Sequence, residues 1–373
     1  MTAPISPYLV ARFVTEDGAQ AWHNSALFTV YNLCAFLAIP TLGALSDRRG
    51  RKPILAWCLL GSAIGYAYFA LAQWLGGLYL SRLLDGITGG NIAILFASMS
   101  DQVPKEERVR YFGILGACSG LGFVVGPALG TLASLWGGET APPLLAAFLC
   151  LANFSWCLLG FRETLKTPNP NPIGWKEINP LGVFYQVPLP GLRPLLMCAF
   201  FVMVPFATLQ SNITVLAKQH LGWLPAEASK LFLVVGVVNI TVQGAFLPRL
   251  RALSERLLVV LGLLCMMSAF VLIEVAYRQA SSGLLYGAIA LFALGNSLQG
   301  PALTSWISRL GDAEQQGGLQ AANQSVQALA RVVGPLLGGW AYQQISPASP
   351  YQAGLVVFLL ALLVLIPTGR KRS

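Results

Sequence analysis

Apolar residues in this chain gather in long runs separated by short polar connections. A helix needs about 20 apolar residues to cross the hydrocarbon core of a bilayer. Eleven runs approach that length, near 25–46, 53–74, 78–100, 111–136, 142–161, 194–214, 228–247, 256–277, 283–307, 317–342 and 351–368. The pattern predicts an all-α membrane protein. Its longest connection, near 162–193, carries Lys-Thr-Pro-Asn-Pro-Asn-Pro at 166–172, whose prolines forbid a continuous helix. This connection separates five spans from six, giving an N-terminal bundle over 1–165, a linker over 166–190 and a C-terminal bundle over 191–373.

Composition agrees. Of the 373 residues, 55% are hydrophobic and only 10% charged, against roughly 25% charged in soluble domains. Most of the surface must therefore face lipid or other apolar helices. The net charge of +9 raises the question of nucleic acid, but the basic residues sit in short loops between apolar runs, which argues against it. Those loops also set orientation. Of the 24 Lys and Arg residues, only Arg12, Lys218, Lys230 and Arg278 fall in one set of loops, and Arg82 and Arg331 fall within spans. The rest lie in the other set, which is therefore cytoplasmic together with the C-terminus. The expected place is the cell (inner) membrane, crossed many times by a monomer. All seven cysteines lie in apolar runs without metal-ligand spacing, so they read as packing residues. The start shows no basic n-region and clean apolar h-region of a cleavable signal peptide.

The chain repeats internally. Val124-Val125-Gly126-Pro127-Ala128-Leu129-Gly130-Thr131 returns as Val332-Val333-Gly334-Pro335-Leu336-Leu337-Gly338-Gly339. Gly90-Asn91 returns as Gly295-Asn296, and Gly43-Ala44 as Gly244-Ala245, in the same order and at nearly one spacing. Two parallel halves of one orientation are a transporter architecture. The second half holds six spans and the first five. The unmatched span is expected before residue 25, with Pro4-Ile5-Ser6-Pro7-Tyr8-Leu9 as the outer end of a helix whose beginning is gone.

The sharpest local signal is Gly43-Ala44-Leu45-Ser46-Asp47-Arg48-Arg49-Gly50-Arg51-Lys52-Pro53. A glycine one turn before a span ends lets another helix approach. An acid at that end can cap a neighbouring helix, and the turn at Gly50 is expected to present four basic groups to the cytoplasm. A plain positive-inside anchor needs only the charges, not the whole pattern G-x-L-S-D-R-x-G-R-K. That pattern resembles the loop signature between the second and third helices of the major facilitator superfamily. The resemblance implies a twelve-helix fold of two six-helix halves rocking around a central site, with eleven of twelve spans visible here. It implies a cytoplasmic gate made by Gly43, Asp47, Arg48, Gly50 and Arg51. In that gate Asp47 caps helix eleven and Arg51 pairs with Asp101, at the head of the acidic-then-basic stretch from Asp101 to Arg108.

Leu78-Tyr79-Leu80-Ser81-Arg82-Leu83-Leu84-Asp85-Gly86 is similar to the family's helix-four motif. A charge within a span costs at least roughly 2.5–3.5 kcal/mol on insertion scales, so Arg82 needs a partner, and Asp85 lies one turn away on the same face. The pair reads either as a structural ion pair or as the proton-coupling site, in which protonation of Asp85 releases Arg82. The family usually carries an uncharged residue at the position of Asp85. Gly122-x-x-x-Gly126-Pro127-x-x-Gly130-Thr131 resembles the helix-five motif of proton-driven antiporters, with Thr131 replacing the last glycine. Its first half also suits generic small-residue packing. Arg331 ahead of Gly334-Pro335, and Gln243-Gly244, resemble the tetracycline and multidrug exporters.

Polar residues within spans, with aromatics nearby, are candidates for a cavity wall that takes bulky amphiphiles: Tyr31, Asn32, Asn91, Gln210, Asn239, Gln243, Asn296, Gln299, Asn323 and Gln327. Each amide could equally serve hydrogen bonding between helices. His23 and His220 are expected in outer loops and carry no role. The chain has no G-x-x-x-x-G-K-[ST] phosphate loop, no metal cluster and no nucleophile–base pair within the spans. An enzyme is therefore not expected, nor any cofactor, and an ion gradient is the expected energy source. The leading expectation is proton-coupled export of small hydrophobic or amphiphilic molecules such as drugs. The alternatives are uptake of a sugar or organic acid, and a transport-inactive membrane protein that binds a partner or senses a ligand.

Overall fold

The computed structural model describes residues 2–104, 107–165, 174, 179, 191–250, 253–311 and 316–365. The proline-bearing stretch 166–172 lies outside them. Helices dominate: α1 (Ser6–Val10), α2 (Asp17–Arg49), α3 (Arg51–Leu71), α4 (Leu75–Ile87), α5 (Asn91–Gln102), α6 (Arg108–Gly137) and α7 (Ala141–Leu159), followed by α8 (Leu192–Leu221), α9 (Pro225–Thr241), α10 (Glu255–Arg278), α11 (Ser282–Ser308), α12 (Gln316–Gln344) and α13 (Ser349–Leu365). No strand occurs among the described residues. Among the described residues, seven helical stretches are long and apolar enough to cross a membrane by length and composition.

Most helices outrun the apolar runs that announce them, because the helical hydrogen-bond ladder continues into amphipathic turns. One consequence corrects an expectation: His23 lies in α2 and His220 in α8, not in loops. The His220 ring meets Tyr277 edge-on at 4.7 Å. The run read as one span over 78–100 is one crossing stretch, Leu75–Gln102, built of α4 and α5 with a break at Thr88-Gly89-Gly90. Two consecutive glycines weaken the helix there, and Thr88 Oγ1 turns back to donate to the Leu84 carbonyl at 2.9 Å. The α9 ladder widens into a π turn over Val242–Phe246 and tightens again over Leu247–Leu250.

Contacts divide the chain into two units, Met1–Phe13 with Val30–Gly182, and Val14–Thr29 with Val183–Ser373. Residues 14–29 therefore group with the second unit, although they precede the linker. Polar side chains do this. Asn24 Nδ2 donates to the Ser211 carbonyl, Ser25 Oγ to Asn212 Oδ1 at 3.2 Å, and Lys218 Nζ to Gln20 Oε1 at 2.7 Å.

In the first unit α3 is the hub, packing on α7, α4 and α5. Its Ile54, Leu55, Ala56 and Cys58 share a core with Ile94 of α5 and Cys157 of α7. In the second unit α10 packs along α11, and α8 along α12 and α13. Phe270 is fully buried there, touching the rings of Phe292, Tyr351 and Phe358 at centroid distances of 5.8, 5.7 and 5.1 Å. Outward, Trp57, Trp136, Phe148 and Leu159 stand exposed. Side chains of this size on the outer face of long apolar helices fit lipid rather than water.

Candidate functional site

Two polar constellations stand out in the first unit. One lies where α2 turns into α3. Gly50 makes that turn at φ +101°, a backbone conformation that L side chains rarely adopt. Directly beyond it, Arg51 points inward and is 6% exposed. Its Nη1 contacts Asp47 Oδ1 at 2.5 Å and donates to Ser46 Oγ at 2.7 Å. Its Nε donates to Asp101 Oδ2 at 2.9 Å. The guanidinium fork thus ties the end of α2, the start of α3 and the end of α5 with charge-assisted bonds. The expectation of four basic groups facing the cytoplasm is corrected. Arg48 and Arg49 are exposed, but three acceptors draw Arg51 inward, and Lys52 Nζ donates to the Leu158 carbonyl at 2.8 Å. Asp47, cast by resemblance as a cap for another helix, has its carboxylate on Arg51. Gly43 has open space where a Cβ would stand. The side chain of Arg108 lies outside the described residues.

Sequence reasoning missed two members of this cluster, Glu163 and Thr164, which follow α7. Glu163 Oε1 accepts from the backbone N–H of Arg51, Thr164 and Leu165, each at 2.9 Å, and its Oε2 accepts from that of Lys52 at 3.1 Å. Partial burial pushes the Glu163 carboxyl up, but these four N–H donors outweigh it and hold the group below the usual carboxylate range. Thr164 Oγ1 donates to Asp101 Oδ2 at 3.2 Å. The only signal in the sequence is an acid just past a span, which many loops carry.

The second constellation lies in α4. Arg82 Nη1 donates to Asp85 Oδ2 at 3.2 Å, one turn along the helix. Both residues are buried, at 8% and 3% exposed. Ser62 and Tyr66 of α3 stand beside the same carboxylate. The Arg82 guanidinium lies over the rings of Phe69 and Tyr66, 4.2 and 5.2 Å from their centroids, where the aromatic faces stabilise the cation. Its Nε and Nη2 are buried without a hydrogen-bond acceptor. The approach of α4 to α2 depends on Gly86, where a Cβ would stand only 2.6 Å from the Tyr31 carbonyl and from Cys34 Cβ.

Tyr66 also lines a cavity of about 270 Å³, together with Gly122 and Gly126 of α6 and Ala146, Leu149 and Cys150 of α7. The structure therefore brings part of the antiporter-like motif to one cavity wall with Tyr66, a neighbour of Asp85. Gly130 is buried further along α6, and the side chain of Pro127 lies outside the described residues.

The amide candidates divide. Asn239 Oδ1 accepts from Ser297 Oγ across α9 and α11, and Asn323 Oδ1 accepts from Gln327 Nε2 at 3.1 Å within α12. Asn91 Oδ1 accepts from the N–H of Ile92 at the start of α5. Of these bonds, Asn239–Ser297 joins two helices and the other two lie within one. Gln299 is buried, Tyr31, Asn32, Gln210 and Asn296 are half-buried, and Gln243 is exposed in the π turn.

Comparison with known proteins bears on the family of the chain. The chain matches the family described as Major Facilitator Superfamily over residues 1–335 and 252–373. It is 31% identical over 369 residues to tetracycline resistance protein class H of Pasteurella multocida, covering 96% of this chain and 88% of that protein. It is also 31% identical over 340 residues to the class C protein of Escherichia coli, covering 90% and 84%. Among solved structures, the human organic anion transporter MFSD10 (TETRAN) superposes with a TM-score of 0.71 at 25% identity, covering 97% of this chain and 94% of that one.

Proposed function

The chain belongs to the major facilitator superfamily, and from that premise we propose that it exports small hydrophobic or amphiphilic molecules, drugs among them, in exchange for protons by alternating access. It is an integral membrane transporter of small molecules. Proton coupling, the direction of transport, the cell (inner) membrane with a cytoplasmic C-terminus, and a monomeric state belong to the proposal. The observation that carries it is the buried Arg82–Asp85 pair beside the cavity that Tyr66 lines. A coupled exporter needs a group whose protonation changes a local structure. Neutralising Asp85 removes the negative charge that balances Arg82, whose Nε and Nη2 already lack acceptors, and so frees the guanidinium to take new partners. The Arg51 cluster is the cytoplasmic gate in this reading.

The test uses everted membrane vesicles with tetracycline as probe. Acidifying the vesicle interior should drive tetracycline uptake, and a protonophore should stop it. Equal uptake with and without the pH gradient overturns proton coupling, and no uptake with either overturns tetracycline as a substrate.

One observation favours a second reading, transport of organic anions. The free Nε and Nη2 donors of Arg82 suit a carboxylate, and the MFSD10 structure is that of an organic anion transporter. Uptake of carboxyfluorescein by the same vesicles, competed by tetracycline or indifferent to it, separates the two.

A further inference from the structure

The start of a helix leaves backbone N–H groups that its own ladder cannot satisfy. At α3 each one can be accounted for. The N–H of Gly50 donates to the Ser46 carbonyl at 3.2 Å. Arg51 and Lys52 donate to the Glu163 carboxylate. Residue 53 is proline and has no N–H. Gly50, in the capping position, has no side chain to supply. Glu163 therefore provides, from the far side of α7, the cap that the local sequence lacks, and its negative charge sits at the positive end of the helix dipole. Gly50 makes room for it, since a Cβ there would strike the Glu163 carboxylate.

Arg51, the gate arginine, is the first residue of this capped turn. Asp101, its partner, shares Oδ2 between Arg51 Nε and Thr164 Oγ1. Both sides of the Arg51–Asp101 bridge are thus held by consecutive residues, Glu163 and Thr164, at the exit of α7. Two further bonds stitch the same helices, Lys52 Nζ to the Leu158 carbonyl and Cys157 Sγ to the Lys52 carbonyl at 3.8 Å. We propose that Glu163 and Thr164 are positioning residues of the gate: they clamp the start of α3 and the Asp101 carboxylate to the exit of α7, so that the exit of α7 and the gate arginine move as one piece. This rests on the reading of the Arg51 cluster as a gate.

The test compares Arg51→Ala, Glu163→Gln, Glu163→Asp and the Arg51→Ala/Glu163→Gln double variant. Glutamine keeps the size but loses the charge and turns an N–H₂ group toward donors, whereas aspartate keeps the charge on a shorter arm. The flux readout is tetracycline transport in everted vesicles. Glu163→Gln is expected to lower the maximal rate about tenfold, the scale of one lost charge-assisted cap, with KM unchanged. Glu163→Asp should recover most of that rate, and the double variant should be no slower than the slower single one. A readout independent of transport is the alkylation rate of Cys157, buried beside the clamp, as the sole remaining cysteine. It should rise about tenfold in Glu163→Gln and return toward the original rate in Glu163→Asp. If Arg51→Ala changes neither readout, the gate reading fails. If Arg51→Ala changes them and Glu163→Gln does not, or if the two effects multiply, the gate stands and the positioning role is overturned. If tetracycline is not carried at all, alkylation of Cys157 in Glu163→Gln against the parent decides the clamp, and if Glu163→Gln does not insert, alkylation in Thr164→Val, which removes the bond to Asp101 and should raise the rate, decides it. An unchanged rate there overturns it.

Discussion

Arg82 and Asp85 face each other at 3.2 Å one turn apart on α4, and each is at least nine-tenths buried. A buried ion pair is poor evidence of stability, because desolvation offsets much of its attraction. The surroundings of this one are not those of a sealed pair. Two Arg82 donors lack acceptors, and Tyr66, beside the carboxylate, lines a cavity. Such an arrangement is costly to keep for structure alone, and it leaves the arginine ready to exchange partners. Asp85→Asn should lower proton-linked uptake in everted vesicles on the order of a hundredfold, the scale of losing a positioned acid–base group, while the protein still reaches the membrane. Unchanged pH-driven flux would remove Asp85 from the mechanism.

Asp47 contacts the buried Arg51 from a side chain that is 46% exposed. Exposed ion pairs contribute about 0.2–1 kcal/mol, which corresponds to a change of at most about fivefold in the balance between two states. Asp47→Ala is therefore expected to move the access equilibrium modestly, not to abolish transport. Labelling of engineered cysteines from each face of the membrane measures it. The same ratio of labelling before and after substitution would count against the gate role.

The membrane fold was legible because lipid imposes long apolar runs, and Arg82–Asp85 was legible because a charge inside such a run demands a neighbour within one turn. What stayed hidden depends on residues distant in sequence. Nothing near Arg51 announces that Glu163, more than a hundred positions later, fills the cap that Gly50 and Pro53 leave open. The inward turn of Arg51 was missed for a related reason: a basic residue in a cytoplasmic loop fits the positive-inside pattern whether or not acceptors lie behind it. Residues 14–29 were assigned by position relative to the linker, whereas Asn24, Ser25 and Gln20 find their partners in α8. The break at Gly89-Gly90 was hidden by an apolar run that continues through it.

Four N–H donors hold the Glu163 carboxyl below its usual range. The unfolded chain binds a proton at about pH 4.3 and the folded chain at a lower pH. The clamp therefore contributes stability fully above the unfolded value, and loses it as pH falls through the folded value. Charged groups facing Glu163 are Arg51 and Lys52 on α3, Asp101 through Thr164, and its neighbour Arg162. Comparing the parent with Glu163→Gln cancels their titration. Thermal unfolding in detergent should show the parent more stable at pH 7, with the difference shrinking below about pH 4. A difference of the same size at both ends would mean that the charge on Glu163 contributes nothing.

Gly50 answers two demands at once, a φ of +101° and clearance for the Glu163 carboxylate. The two can be separated by substitution. In Gly50→Ala the backbone strain costs roughly 1–3 kcal/mol, and the methyl also displaces the carboxylate from the N–H groups of Arg51 and Lys52, so that the cap is lost as well. In a Glu163→Ala background the cap is already gone and the space is free, leaving only the backbone strain. Gly50→Ala should therefore lower the unfolding temperature of the parent by more than it lowers that of Glu163→Ala. The gap between the two drops measures how strongly Gly50 and Glu163 depend on each other. Equal drops in both backgrounds would mean that Gly50 serves the turn alone and that the carboxylate can settle elsewhere without loss.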